Sequence, residues 1–251
     1  MKTTLTRTFI RRTAILGALA FACVGANAQT PNVQVIPAPK QFTVSEGKFD
    51  IGLDTRMALA DGQSAEDRFA ARDFIDDVKQ TAGVTVRLGG NSARREILIG
   101  QIDLPRMQQA LKRAAVDSSQ PLSDEGYVLS VGLHEVVVAG KTTAGTFYGL
   151  QTLKQLVRGE AASAFIPGMK IVDWPTMRWR AVSDDISRGP VPTVDYIKRQ
   201  IRTEAFFKLN MHSFYMEHTF ASESHPLVGP AGGSLTPDEI RELVAYARRY
   251  H

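Results

Sequence analysis

Asp173-Trp174-Pro175 opens the stretch that decides the fold. It leads into Met177-Arg178-Trp179-Arg180-Ala181-Val182-Ser183-Asp184-Asp185-Ile186-Ser187-Arg188 and, after a helix-like run, into Lys208-Leu209-Asn210-Met211-His212-Ser213-Phe214-Tyr215-Met216-Glu217-His218. Residues 177–184 have the mixed pattern of a strand. Thr193 is a good N-cap for a helix over 194–207, on which Ile197, Ile201, Ala205 and Phe206 form an apolar stripe. Residues 211–216 give a second strand. Thr236-Pro237-Asp238-Glu239 then combines a capping box with proline at the first helical position. Ile240, Leu243, Val244 and Ala247 supply the inner face of the helix that follows. Strand, helix, strand and helix at these spacings predict parallel strands. A (β/α)8 TIM barrel needs eight such units, and residues 173–251 carry two. They are expected to form an incomplete barrel.

Upstream, residues 29–172 predict a different architecture. Short strands are expected at 41–44 and 48–53, turning at Glu46-Gly47. Residues 65–82 form an amphipathic helix: Ala71, Phe74, Ile75 and Val78 share one face, and Gly83 ends it. Val84-Thr85-Val86-Arg87-Leu88 and Glu96-Ile97-Leu98-Ile99-Gly100 read as strands, with a turn through Gly89-Gly90-Asn91-Ser92 between them. A weak helix is expected over 104–115. Residues 126–131 and 135–140 pair as a hairpin around Gly132-Leu133-His134. A helix follows over 142–157, then a linker over 158–168 and a last strand at 169–172. Short hairpin connections demand antiparallel pairs. The expectation is therefore an α+β domain: an antiparallel sheet with helices on one face.

Residues 1–28 read as an export signal. Lys2, Arg7, Arg11 and Arg12 form a basic region, an apolar run of secretory length follows, and Ala26-Asn27-Ala28 is a cleavage pattern. Arg11-Arg12 also permits twin-arginine export. The protein is thus expected to be exported, periplasmic or secreted, without a stable membrane span. Removing this segment takes the formal net charge from +4 to zero, so the basic balance is no argument for a nucleic-acid partner. The single cysteine, Cys23, lies there too, so the mature chain has neither a disulfide nor a thiolate metal ligand.

Three groups of residues carry a resemblance. Val35-Ile36-Pro37-Ala38-Pro39 is one. Glu125-Gly126-Tyr127, followed by Gly140-Lys141-Thr142-Thr143-Ala144-Gly145-Thr146-Phe147-Tyr148-Gly149-Leu150-Gln151-Thr152-Leu153, is the longest. Asp173-Trp174-Pro175 with Arg178-Trp179-Arg180 is the third. In these residues the chain resembles the bacterial β-N-acetylhexosaminidases of glycoside hydrolase family 20: an N-terminal accessory domain and the start of the catalytic barrel. The resemblance implies release of terminal N-acetylhexosamine from glycans by substrate-assisted retaining hydrolysis, an exception to the usual two-carboxylate scheme. An adjacent Asp-Glu pair on the fourth barrel strand performs that chemistry in the family. No residue from 29 to 251 is assigned a catalytic role.

The family's first strand carries an Arg, an Asp five residues later and an Arg three beyond. Arg180, Asp185 and Arg188 keep that spacing, with Ala181 replacing the family's glycine. The resemblance implies that Arg180 binds sugar hydroxyls; a structural ion pair is its other reading. Asp185 and Glu217 end their strands, where barrels place ligands, and are candidate substrate-binding residues. Asp185 is otherwise an ion-pair partner for Arg180 or Arg188. The family's second strand reads Lys-x-Asn and then His-x-His. Lys208 and Asn210 match, but Ser213 and Tyr215 stand at the histidine positions. That departure keeps a second reading open, a barrel glycosidase of different sugar specificity with the same accessory domain. A non-catalytic glycan-binding protein is the third. Open parallel strand edges argue against it. Glu217-His218, with His212 and His225, forms no standard zinc spacing, so no metal and no cofactor are expected. Trp174 and Trp179 read as packing at a domain boundary.

Overall fold

The computed structural model describes residues 34–90, 94–117 and 120–251. The expected export signal with Cys23, the segment around Pro31 and the Asn91-Ser92 part of a turn lie outside those residues. Among the described residues nine strands and five α-helices follow in order: β1 (Gln41–Asp50), β2 (Thr55–Leu59), α1 (Ala65–Ala82), β3 (Arg87–Leu88), β4 (Arg95–Gln101), α2 (Pro105–Arg113), β5 (Tyr127–Val131), β6 (Glu135–Gly140), α3 (Thr143–Leu156), β7 (Phe165–Asp173), β8 (Ala181–Asp185), α4 (Val194–Phe206), β9 (Met211–Tyr215) and α5 (Pro237–Ala247).

The first seven strands form one sheet in the order β1-β7-β5-β6-β4-β2-β3. It is mixed, which corrects the antiparallel expectation. β1–β7, β7–β5 and β5–β6 are antiparallel, whereas β2–β3, β2–β4 and β4–β6 are parallel. Helix α1 is the reason: a connection through a helix returns the chain in its original direction, so β2 and β4 align.

Helices cover both faces rather than one. Phe74 and Val78 of α1 and Leu150 and Leu153 of α3 pack with Ile97, Ile99, Leu129, Val136 and Val138. Met107, Ala110 and Leu111 of α2 pack on the opposite face with Leu98, Val128, Val137 and Ala139. Ile97-Leu98-Ile99 and Val136-Val137-Val138 carry the signal for this. Continuous apolar runs mark strands buried on both sides, where alternation would mark one.

The expected hairpin at 41–53 is a single strand. β1 runs along β7 with an irregularity between Val44 and Lys48. The carbonyls of Ser45, Glu46 and Gly47 there lie close over Gly168, where a Cβ would come within 2.9 Å of each. A bulge replaces the turn.

The glycine-rich motif 140–153 owes its composition to close approach. Thr142 caps α3, its Oγ1 accepting from Ala144 N at 3.2 Å. Gly145 and Gly149, one turn apart, bring that helix directly onto the sheet. A Cβ on Gly145 would overlap the Gly126 carbonyl, and one on Gly149 would lie 2.5 Å from Val138 Cγ1 and 3.1 Å from the Tyr127 ring.

β8 and β9 form a separate two-stranded parallel sheet, in register from Ala181↔Met211 to Asp185↔Tyr215, with α4 between them in sequence. Ile197, Ile201 and Ala205 of α4 and Leu243 of α5 join the same apolar cluster as Leu153 and Leu156 of α3. Among the described residues no helix is long and apolar enough to cross a membrane.

Gly149→Ala should therefore destabilise the chain by about 1–3 kcal/mol through overpacking, measured as a lower urea midpoint at unchanged slope. An unchanged midpoint would contradict the close approach of α3.

Candidate functional site

Two polar clusters lie at opposite ends of β8 and β9, and the sequence's candidates divide between them. At the C-terminal end, Arg188 reaches Glu217 with both terminal nitrogens, Nη2 to Oε1 at 2.8 Å and Nη1 to Oε2 at 3.3 Å. Its Nε stands 3.8 Å from Asp185 Oδ2. Tyr215 donates its hydroxyl to Glu217 Oε1 at 3.1 Å, and this bond, with the glutamate's charge, holds the phenol above its ordinary pKa. Ser187 ties the strand ends together: its N–H donates to Asp185 Oδ1 at 2.9 Å, and its Oγ accepts from Glu217 N at 3.0 Å. The side chains of Arg188, Asp185 and Glu217 are 65, 45 and 41% exposed. Ion pairs this open contribute little to stability. What they offer is a planar fork of donors between two carboxylates, at the end of a parallel pair where such sheets place ligands.

The other end is buried. Asp173 closes β7, Tyr127 opens β5, Thr152 lies on α3, and Lys208 follows α4 in the left-handed region, at φ 61°. Lys208 Nζ donates to Asp173 Oδ2 at 3.0 Å and to the Tyr127 oxygen at 2.8 Å. Tyr127 donates its proton to Asp173 Oδ2 at 2.7 Å, so Thr152 is the donor in the 2.5 Å contact between the two hydroxyls. Burial, then the Asp173 charge, pushes the Tyr127 phenol well above its ordinary value. Burial lowers the Lys208 ammonium, and Asp173 opposes that shift. Neither charge of the Lys208–Asp173 pair is more than 11% exposed.

Arg180 belongs to this buried junction. Its Nε donates to the Lys208 carbonyl at 2.6 Å and its Nη1 to the Met177 carbonyl at 2.8 Å, while Nη2 pairs with Glu125. The guanidinium also lies 5.6 Å from the Tyr148 ring centroid. A cavity of about 260 Å³ adjoins it, walled by Tyr148, Trp174, Met177, Glu125 and Lys208. The structure brings Asp185 and Glu217 together through Arg188 and leaves Arg180 at the far end of β8. Arg188, expected from the sequence only as a member of the Arg180–Asp185–Arg188 spacing and as an ion-pair alternative for Asp185, is the residue that links Asp185 to Glu217.

Trp179 is not packed at a boundary: it is 62% exposed, with the Arg178 guanidinium 5.2 Å from its ring. His212 turns to Glu204 of α4, Nδ1 to Oε1 at 2.8 Å. Among the described residues no three His, Cys, Asp or Glu side chains converge as a metal site.

The family model for glycosyl hydrolase family 20, domain 2, matches residues 32–174, more than half of the chain. The chain belongs to glycosyl hydrolase family 20. A β-hexosaminidase of Porphyromonas gingivalis is 27% identical over 241 residues, covering 86% of this chain and 28% of that protein. A β-N-acetylhexosaminidase of Cellulomonas fimi is 28% identical, covering 85 and 43%. Among solved structures, the family 20 β-N-acetylhexosaminidase of Streptomyces coelicolor superposes with a TM-score of 0.72 at 24% identity. The N-acetyl-β-hexosaminidase of Streptomyces plicatus gives 0.69 at 26%. Each covers 88% of this family 20 chain and 45% of its own. The chain thus spans less than half the length of these relatives.

Asp173→Ala strands a buried ammonium. It should cost about 3–5 kcal/mol, whereas Asp173→Leu with Lys208→Met should recover most of that loss. Urea denaturation of the single and double variants measures both. A single variant within 1 kcal/mol of the parent would contradict the pair's burial.

Proposed function

We propose that this chain is the front part of an exported β-N-acetylhexosaminidase: the accessory domain over residues 29–172, then the first two βα units of a TIM barrel over 173–251. The observation that carries the reading is the reach of the likeness. The domain 2 match ends at 174, but superposition on hexosaminidase structures covers 88% of the chain. A parallel β8–α4–β9 unit in that extension is what a barrel's opening requires. The substrate proposed is a terminal N-acetylhexosamine of a glycan. The reaction proposed is retaining hydrolysis in which the substrate's acetamido oxygen attacks the anomeric carbon.

In this reading Asp185, Arg188 and Glu217 contact the sugar. Carboxylates accept from hydroxyl groups and the guanidinium fork donates to them. The exposure of all three supports that assignment. Arg180 as a direct sugar ligand has less support, since its donors already meet the Lys208 and Met177 carbonyls and Glu125. The acid and the group that orients the acetamide are proposed to lie on later barrel strands, outside residues 29–251.

One observation favours a second reading. Tyr215, at a position where the family carries histidine, enters the cluster through its bond to Glu217. A site rebuilt in this way fits a barrel glycosidase with another sugar preference.

A chromogenic N-acetylglucosaminide separates these readings. The product of whatever reading frame continues past residue 251 should hydrolyse it, and residues 29–251 alone should not. Arg188→Ala in the longer product should lower kcat/KM about 10- to 100-fold, as expected for a lost charge-assisted hydrogen bond. Turnover by the short form would sink the assignment of the acid pair. Turnover of another glycoside alone by the long form would favour the second reading.

A further inference from the structure

β8 and β9 carry little information about their own register. Neither Ala181-Val182-Ser183-Asp184-Asp185 nor Met211-His212-Ser213-Phe214-Tyr215 contains a fully buried residue. Phe214 packs against the core only in part, and register is weakly specified where a face is no more than half-buried; a slip of one residue turns every side chain to the other face. The Asp185–Arg188–Glu217 cluster nevertheless depends on Asp185 standing opposite Tyr215.

The contacts that pin the pair lie at the start of both strands. Asn210 N donates to the Arg180 carbonyl at 3.0 Å, and Arg180 N donates to Asn210 Oδ1 at 2.9 Å. Asn210 Nδ2 donates to the Arg178 carbonyl at 2.8 Å and to Glu125 Oε1 at 3.1 Å. The other oxygen of Glu125 takes Arg180 Nη2. One carboxylate, just ahead of β5 in the seven-stranded sheet, therefore grips the residue before β8 and the residue before β9 at once. Side-chain exposures of 22% for Glu125 and 11% for Arg180 remove most of the competing water.

We propose that Glu125 is a positioning residue: it fixes the register of β8 against β9 and, through that register, the spacing of Asp185, Arg188 and Glu217. The accessory domain then contributes to the site without touching it. The consequence for sugar binding rests on the proposed function, whereas the register itself does not.

Amide hydrogen exchange on the full-length protein tests this, with Glu125→Leu, Glu125→Gln and, as a control, Glu135→Gln, whose partner Arg113 is exposed. In Glu125→Leu the amides of β8 and β9 should lose about tenfold in protection, the scale of one net hydrogen bond, while those of α1 keep theirs. Glu125→Gln retains an acceptor oxygen and should lose less, and it carries the test if the leucine variant does not fold. Glu135→Gln should leave β8 and β9 unchanged. In the same samples kcat/KM on the N-acetylglucosaminide should fall about tenfold in Glu125→Leu, chiefly through KM, because the affected groups bind rather than react. Unchanged protection of β8 and β9 in both Glu125 variants overturns the positioning role, as does an equal loss in α1. Local loss of protection in a parent protein that cleaves no N-acetylhexosaminide leaves the register claim standing and overturns the functional reading instead.

Discussion

The structure turns on one buried ion pair. Lys208 and Asp173 lie 35 positions apart, yet their charges meet at 3.0 Å, and the Tyr127 hydroxyl bonds to both. Burying two charges is costly, and the cost is recovered only where geometry is good and the remaining hydrogen-bonding capacity is filled. Here Tyr127, Thr152 and the Lys40 amide, which donates to Asp173 Oδ1 at 3.1 Å, do that filling. The consequence is positional. Asp173 ends β7, which lies between β1 and β5, Tyr127 opens β5, and Lys208 stands where α4 gives way to β9. A pair that tolerates little misplacement thus joins the large sheet to the parallel unit. Lys208 even adopts a left-handed backbone to make the connection, a conformation that costs a non-glycine residue on the order of 1 kcal/mol.

Apolar packing alone would join these layers less specifically. The α3–α4 contact, whose Leu153, Leu156, Ile197 and Ile201 belong to one apolar cluster, is greasy and adaptable. Hydrophobic burial supplies energy without direction, whereas a hydrogen-bonded charge network selects one arrangement. A chain that holds the Asp185–Arg188–Glu217 cluster at the far end of β8 and β9 has use for that selectivity.

Local structure was legible in the sequence to the extent that local physics decides it. Helix α1 falls on its expected residues because Gly83 supplies a left-handed stop at φ 64° and the apolar face repeats every three to four residues. Helix α5 begins where the Thr236–Glu239 capping box says it should. What stayed hidden depends on partners distant in sequence. β1 looks like two strands and a turn until β7 lies beside it, with Gly168 under the bulge. The start of β7 at Phe165 passes for linker because nothing local marks Phe165–Gly168 as paired. The two-sided burial of the large sheet was written in its continuous apolar runs but masked by the hairpin signal at Gly132-Leu133-His134. Six of the residues that carried the family resemblance, Glu125, Tyr127, Asp173, Arg180, Lys208 and Asn210, meet at one junction. Motif spacing identified them one by one, and only the fold shows that they are neighbours. Arg188 stands in the same spacing, but its two contacts with Glu217, 29 positions away, depend on the pairing of β8 with β9 and leave no local mark.

The central claim is that the exposed cluster at the C-terminal ends of β8 and β9 faces the substrate while the buried cluster at their N-terminal ends holds the layers together. A crystal structure of the proposed longer product bound to N-acetylglucosamine tests that division most directly. The account predicts a sugar whose hydroxyls lie within hydrogen-bond distance of the Arg188 guanidinium and the Asp185 or Glu217 carboxylate, with Arg180 still on Glu125. A sugar seated against Arg180 and Lys208, with Arg188 turned to solvent, would contradict it.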